Sequence, residues 1–274
     1  MAINLKIIFL TFLILANNKG FAQTKNKVTE VIVIGTIHFP TTYINSDTIY
    51  NAIQKVQPDI ILMEAGSSNF NKDGSFKNTF DENEWNACIK YIKMYPKTSF
   101  KPFDIEGRNE IRKTLGINGN NPFFDYVDLQ DSLKKLSQHD KLILNRFRLL
   151  NLLCDTICDG SLKTINTIAT DNILHERQFY IYHRFMEIAN KMDTLKNIRL
   201  NNDSSISLFE YNKRWSNFEL RRNFEMTENI LRYISKYSGK KIVVLVGFYH
   251  RYSIVETLKL YQSKYNFRIK EYYE

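Results

Sequence analysis

The sequence predicts a mixed α/β fold: a mainly parallel sheet flanked by helices, with a large helical insertion between N-terminal and C-terminal strands. Three observations carry this. Val31–Ile34 and Lys241–Val246 are continuous apolar runs rich in β-branched residues, the pattern of strands buried on both faces of a parallel sheet. The first run leads within about 35 residues through a helix-period segment to a second apolar run, which makes a βαβ unit with parallel strands. Finally, residues from about 121 to 237 contain very little Gly or Pro and read as helices, so the C-terminus completes the sheet.

The elements follow in order. Residues 1–22 read as a secretory leader: Lys6 precedes the apolar run Ile7–Ala16, and the Gly20-Phe21-Ala22 stretch places small residues at the −3 and −1 positions of a cleavage site. A run of that length is about half of the roughly 20 residues needed to span a bilayer. The expected mature protein is therefore one α/β domain, residues 23–274, exported to the periplasm or secreted, with no membrane span after cleavage. Gly35 ends the first strand. Asp47–Gln57 has helical periodicity through Ile49, Ile53 and Val56, with Ser46 as N-cap and Pro58 as stop. Asp59–Met63 is the next strand, running into Glu64. Residues 66–80 form a polar loop, and Asp81 with Glu84 resembles a capping box opening a helix to about Tyr95. Ser99–Phe103 is a third short strand, ending in Asp104. Within the insertion, helices are expected around Leu149–Leu153, over Thr167–Met192 and over Phe218–Tyr237. Ile254–Tyr261 reads as a helix and Phe267–Tyr273 as an alternating edge strand.

Composition narrows the function classes. The 274 residues hold 43% hydrophobic and 24% charged residues, with 10 Gly and 5 Pro, which excludes collagenous and disordered chains. Three cysteines cannot staple a chain of this length; Cys88, Cys154 and Cys158 read as buried apolar residues. The net charge of +9 is spread without a dense Lys/Arg block, so no nucleic-acid partner is expected.

The chemistry lies at the strand ends. Val-Ile-Val-Ile-Gly35-Thr-Ile-His38 and Val-Val-Leu-Val-Gly247-Phe-Tyr-His250 share one pattern: buried strand, Gly, two residues, His. Ligands of open α/β sheets bind beyond the carboxyl ends of the strands, where Gly allows a sharp turn or a close approach. The polar-loop Gly160 is expected to tolerate a side chain that Gly35 and Gly247 would not. Glu64 and Asp104 end two further strands, so four strand ends deliver His38, Glu64, Asp104 and His250 to one edge. His with carboxylate is the ligand chemistry of a divalent ion and also the equipment of metal-free acid/base catalysis, and the spacing leaves both open. Asp104 reads almost equally well as a helix N-cap before Gly107–Leu115, with Arg108 as an ionic partner. His139, His175 and His183 lie in helical stretches with polar neighbours and read as bland.

These residues, with Arg222-Asn223 and Met226 on a late helix, resemble in order the motifs of the TraB/GumN group, related to the TIKI metalloproteases and, more distantly, to erythromycin esterases and ChaN-like haem-uptake proteins. The resemblance spans about Val31 to Ile254. It implies an α/β domain with a helical insert and a site built from both Gly-x-x-His motifs, the acidic residue and the Arg. In the TIKI branch the implied activity is divalent-metal-dependent proteolysis; in the esterase branch it is metal-independent hydrolysis with a His base. The chain departs at Arg221, where the group usually has Glu, and at bulky Phe248 and Tyr249, where small residues are usual. The expectation is an exported hydrolase, with His38, His250 and Glu64 holding Zn, Mn or Co, or a His acting as base. Glu64 would be a ligand or general base, Arg222 and Asn223 would stabilise a charged intermediate, and Asp104 completes the set. The substrate would be a peptide or a small molecule. The competing expectations are a non-catalytic protein binding haem, iron or a peptide on the same rim, and a structural protein with a decayed site. Topology adds one geometric expectation: His38, Glu64, Arg222 and His250 form one cluster.

Overall fold

In the computed structural model, residues 27–200 and 203–274 are described; the predicted leader, residues 1–22, lies outside them. The first half of the chain lays down β1 (Thr29–Thr36), α1 (Ser46–Val56), β2 (Ile60–Met63), α2 (Asn83–Met94), β3 (Ser99–Pro102) and α3 (Arg108–Leu115). The insertion follows as α4 (Phe123–Ser132), α5 (Gln138–Cys158), α6 (Ile168–Phe179) and α7 (Phe185–Lys191), the last two joined by a π-helical turn. A short antiparallel ribbon, β4 (Arg199–Leu200) and β5 (Asp203–Ser207), leads into the long α8 (Leu208–Lys236). The chain ends with β6 (Lys241–Gly247), α9 (Phe248–Tyr265) and β7 (Phe267–Lys270).

The main sheet has the order β3-β2-β6-β1-β7, and every pairing is parallel. The apolar runs explain why: each central strand is buried on both faces. Ile32, Ile34, Ile61, Met63, Val243 and Leu245 pack on one side against α1 and α2. Val31, Val33, Ile60, Leu62, Ile242 and Val244 pack on the other against Met226, Ile230 and Ile234 of α8. The insertion has its own aromatic core around Phe123, Phe147 and Phe185. β6 comes late in the chain but lies between β1 and β2, so the carboxyl ends of strands more than 200 positions apart in sequence become neighbours.

Several boundaries differ from the sequence reading, each for a local reason. The N-cap of α1 is Asn45 rather than Ser46, because the Asn45 side chain accepts from the Asp47 and Thr48 amides while the Thr48 hydroxyl accepts from the Asn45 amide. The Asp81/Glu84 capping box does not form; Glu82 stands at the N-cap without a side-chain bond and Glu84 turns inward. Ser207 caps α8, which therefore starts ten residues before Phe218. α9 begins directly after β6 instead of at Ile254, so His250 lies in a first helical turn. β7 is a parallel edge strand that ends at Lys270, short of Tyr273. Cys88 and Cys154 are buried as expected, but Cys158 is only half-buried, and all three thiols are free. Gly160 is not permissive: a Cβ there would stand 3.0 Å from the Ile157 carbonyl and from Thr164.

Candidate active site at the carboxyl edge of the sheet

The four strand ends meet as topology requires. Glu64, just after β2, accepts from Arg222 Nη2 at 2.5 Å through Oε1 and from the Gly247 amide at 2.6 Å through Oε2. Asp104, just after β3, takes the same guanidinium from its other side: Arg222 Nε donates to Oδ1 at 2.8 Å and Nη2 to Oδ2 at 3.0 Å. Arg222 Nη1 donates to His250 Nε2 at 2.9 Å. Arg222 is therefore a buried hub and not a solvated helix charge, while its neighbour Arg221 is exposed and pairs with Glu225. Asp104 is not a helix cap; Gly107 occupies that position, and the Asp104 carboxylate also pairs with Arg108 at 3.0 Å.

The arginine fixes the state of His250. A guanidinium can only donate, so Nε2 of His250 accepts and its neutral ring carries hydrogen on Nδ1. That hydrogen is donated to Asn223 Oδ1 at 2.6 Å. Burial pushes the His250 pKa down, and the charge of Arg222 adds to it against the pull of Glu64. Burial alone would raise the Glu64 carboxyl, but Arg222, His250 and the Gly247 amide overcome it and hold the group at about 2.

His38 joins the same floor from β1. Its Nδ1 lies 3.1 Å from Glu84 Oε1, and a Cβ on Gly247 would stand 3.5 Å from His38 Nε2 and 3.2 Å from Glu64 Oε2. The expected gathering of His38, Glu64, Arg222 and His250 is thus found, with Gly247 as the point of closest approach. The hydrogen bond to Glu84 raises the His38 pKa against burial, and the charges of Glu84, Glu64 and Glu82 carry it to about 9.

Two further acids are not expected in the site: Glu82 is not singled out by the sequence, and Glu84 reads only as part of a capping box. With His38 they form a group that could hold a metal ion: one ligand atom from each lies within 4.8 Å of the others. They share with Glu64 a small void of about 20 Å³, roomy enough for a single ion or water. Glu84 also accepts from the Thr36 hydroxyl, while its Oε2 is buried without a partner. This set differs from the one expected. His38 is common to both, but Glu82 and Glu84 stand in the place of Glu64 and His250, whose Nε2 lone pair already faces Arg222. The start of α2 is docked on the His38 turn by Asn83, whose amide donates to His38 O at 2.7 Å and whose side chain donates to Ile37 O at 2.8 Å. The available signal was the density of acids in Asp81-Glu82-Asn83-Glu84, more than a helix cap needs.

Above this floor opens a cleft of about 470 Å³, walled by Phe80, Trp85, Asn69, Arg108 and Asn109. The bland histidines are distant from it in role: His175 pairs with Glu256 and His139 lies 3.7 Å from Glu187 on the surface. Among the described residues no helix is long and apolar enough to cross a membrane. Comparison with protein-family models, with curated proteins and with solved structures gave no match for the chain.

Proposed function

We propose that the chain is an exported hydrolase of peptide or small-molecule bonds that uses a divalent ion, Zn, Mn or Co. The observation that carries this reading is the His38, Glu82 and Glu84 group around a one-ion void at the floor of the cleft, with the Glu84 Oε2 buried and unpartnered. One imidazole and two carboxylates suit a borderline or hard divalent cation. Such an ion polarises a carbonyl and lowers the pKa of a bound water. Glu64 faces the same void as a permanently ionised group that orients water. Arg222 and Asp104 hold it there, and the neutral His250, fixed by Asn223, offers a proton acceptor when Arg222 shifts toward a developing anion. The order of the Gly-x-x-His, Glu and Arg-Asn segments, similar to the TraB/GumN group, supports the reading.

A non-catalytic binding protein for haem, iron or a peptide is the second reading. It is favoured by one observation: both Glu64 oxygens and the His250 lone pair are already engaged. Metal analysis and calorimetry on the mature protein, followed by peptide and ester panels with and without chelator, test the proposal. Stoichiometric Mn²⁺ or Zn²⁺ binding, lost in Glu84→Gln, with chelator-sensitive turnover is expected. Binding without turnover on any panel selects the second reading, and absence of binding rejects the metal.

A further inference from the structure

Arg251 follows His250 in the first turn of α9 and is charged yet only 1% exposed. Its side chain runs along the end of β1: Nε donates to Val33 O at 3.3 Å, and its Cδ lies 2.9 Å from where a Cβ on Gly35 would stand. The guanidinium then joins two distant segments. Nη1 donates to Asp171 on α6, and Nη2 donates to both oxygens of Glu271 at 2.8 Å. Asn166, also fully buried, grips the same strand end, accepting from Gly35 N at 2.6 Å and donating to Gly35 O at 2.9 Å. The C-terminal segment closes over both, since the Tyr273 hydroxyl donates to Asn166 O at 3.1 Å and Lys55 Nζ donates to Tyr273 O at 2.9 Å.

The two Gly-x-x-His segments are therefore reciprocal. Gly247, in the second, leaves room for His38 of the first. Gly35, in the first, leaves room for the residue that follows His250 in the second. Apolar side chains of similar volume would fill the Arg251 site at lower desolvation cost, so a charged hub there is better explained by registry than by stability. We propose that Arg251 is a positioning residue of the site. Held by Asp171 of the insertion and Glu271 of the C-terminal segment, it fixes the turn carrying His250 against the turn carrying His38. The insertion and the C-terminal segment thereby set the geometry of the cleft. This needs no metal and stands whether or not the cleft is hydrolytic.

The test uses the metal-free mature chain. In a double-mutant cycle, Gly35→Ala and Arg251→Ala should each lower the thermal midpoint, and the double variant should lose clearly less than independent effects predict, because a truncated Arg251 vacates the space that the new methyl group needs. The second readout is the Nδ1–H signal of His250, hydrogen-bonded to Asn223, followed by NMR. Glu271→Gln should shift or broaden it, whereas Ile188→Val, a core change within the insertion, should leave it in place. Should Arg251→Ala fail to fold, Arg251→Lys, which keeps the charge but loses the fork, is read by the same signal and should disturb it likewise. Additive losses in the cycle, or a His250 signal unmoved by Glu271→Gln and Arg251→Lys, overturn the proposal.

Discussion

Arg222 hydrogen-bonds to two carboxylates and one imidazole, with the Glu219 carboxylate 3.9 Å away, in a site where hardly any of it reaches water. Removing one partner from such a hub leaves charge without compensation, so Glu64→Gln should cost about 3 kcal/mol, measured by urea unfolding at neutral pH. A loss below about 0.5 kcal/mol would mean that the remaining partners, Asp104 first among them, satisfy the guanidinium without Glu64. His38 gives a pH signature of opposite sign to the usual carboxylate case. Its pKa is raised from 6.5 to about 9, so its pairing stabilises the metal-free protein fully below pH 6.5 and fades as pH rises through 9. The difference in thermal midpoint between wild type and His38→Gln should shrink across that window; a constant difference would deny the pairing with Glu84. Legibility at this scale was uneven. His38 and His250 announced themselves by repetition after buried strands. Glu84 did not, because a single acid in a helix's first turn is indistinguishable in sequence from one that merely complements the helix dipole, and only the run of acids around it pointed further.

At the scale of elements, the strand-end glycines are needed for close approach rather than for unusual backbone angles. Neither Gly35 nor Gly247 has a positive φ; each faces a side chain that a Cβ would press, Arg251 at 2.9 Å and Glu64 at 3.2 Å. Gly119, whose Cβ would meet nothing within 4 Å, is the proper control, and Gly160 is not. Gly35→Ala and Gly247→Ala should each lose about 1–3 kcal/mol through overpacking, against no more than a few tenths for Gly119→Ala, as read from thermal unfolding. Three equal losses would contradict the interlock. The capping of α1 offers a second check: Asn45→Ala should cost about 1 kcal/mol, and Ser46→Ala close to nothing. Helix and strand positions were legible because apolar periodicity survives any tertiary context. Helix ends were less so, since Asn45 and Ser46 are both good caps and only the backbone geometry chooses between them.

For the whole molecule, the decisive fact is that the last long strand lies at the centre of the sheet. Parallel pairing and a site at the carboxyl edge could be read from the strand runs, but strand order could not. Nothing local in Lys241–Gly247 distinguishes a central position from an edge one, and the order depends on which pair of strands leaves a gap. With β6 in that gap, Ile242 stands opposite Ile60 on one side and Val31 on the other, and it is fully buried against α8 and α9. Both halves of the sheet depend on it, although it lies at the amino end of β6, away from the cleft. Ile242→Ala should therefore cost about 3 kcal/mol, the usual loss for a large core side chain that cannot be replaced by collapse. The more telling readout is hydrogen exchange under native conditions. If the sheet opens as one unit through β6, the amides of β1, β2 and β6 should all lose protection by the same free energy in Ile242→Ala. Those of the insertion, which packs around its own core of Phe123, Phe147 and Phe185, should change less. A loss of protection confined to β6 would show that β1 and β2 each keep their protection without it, and that the sheet does not open as one unit.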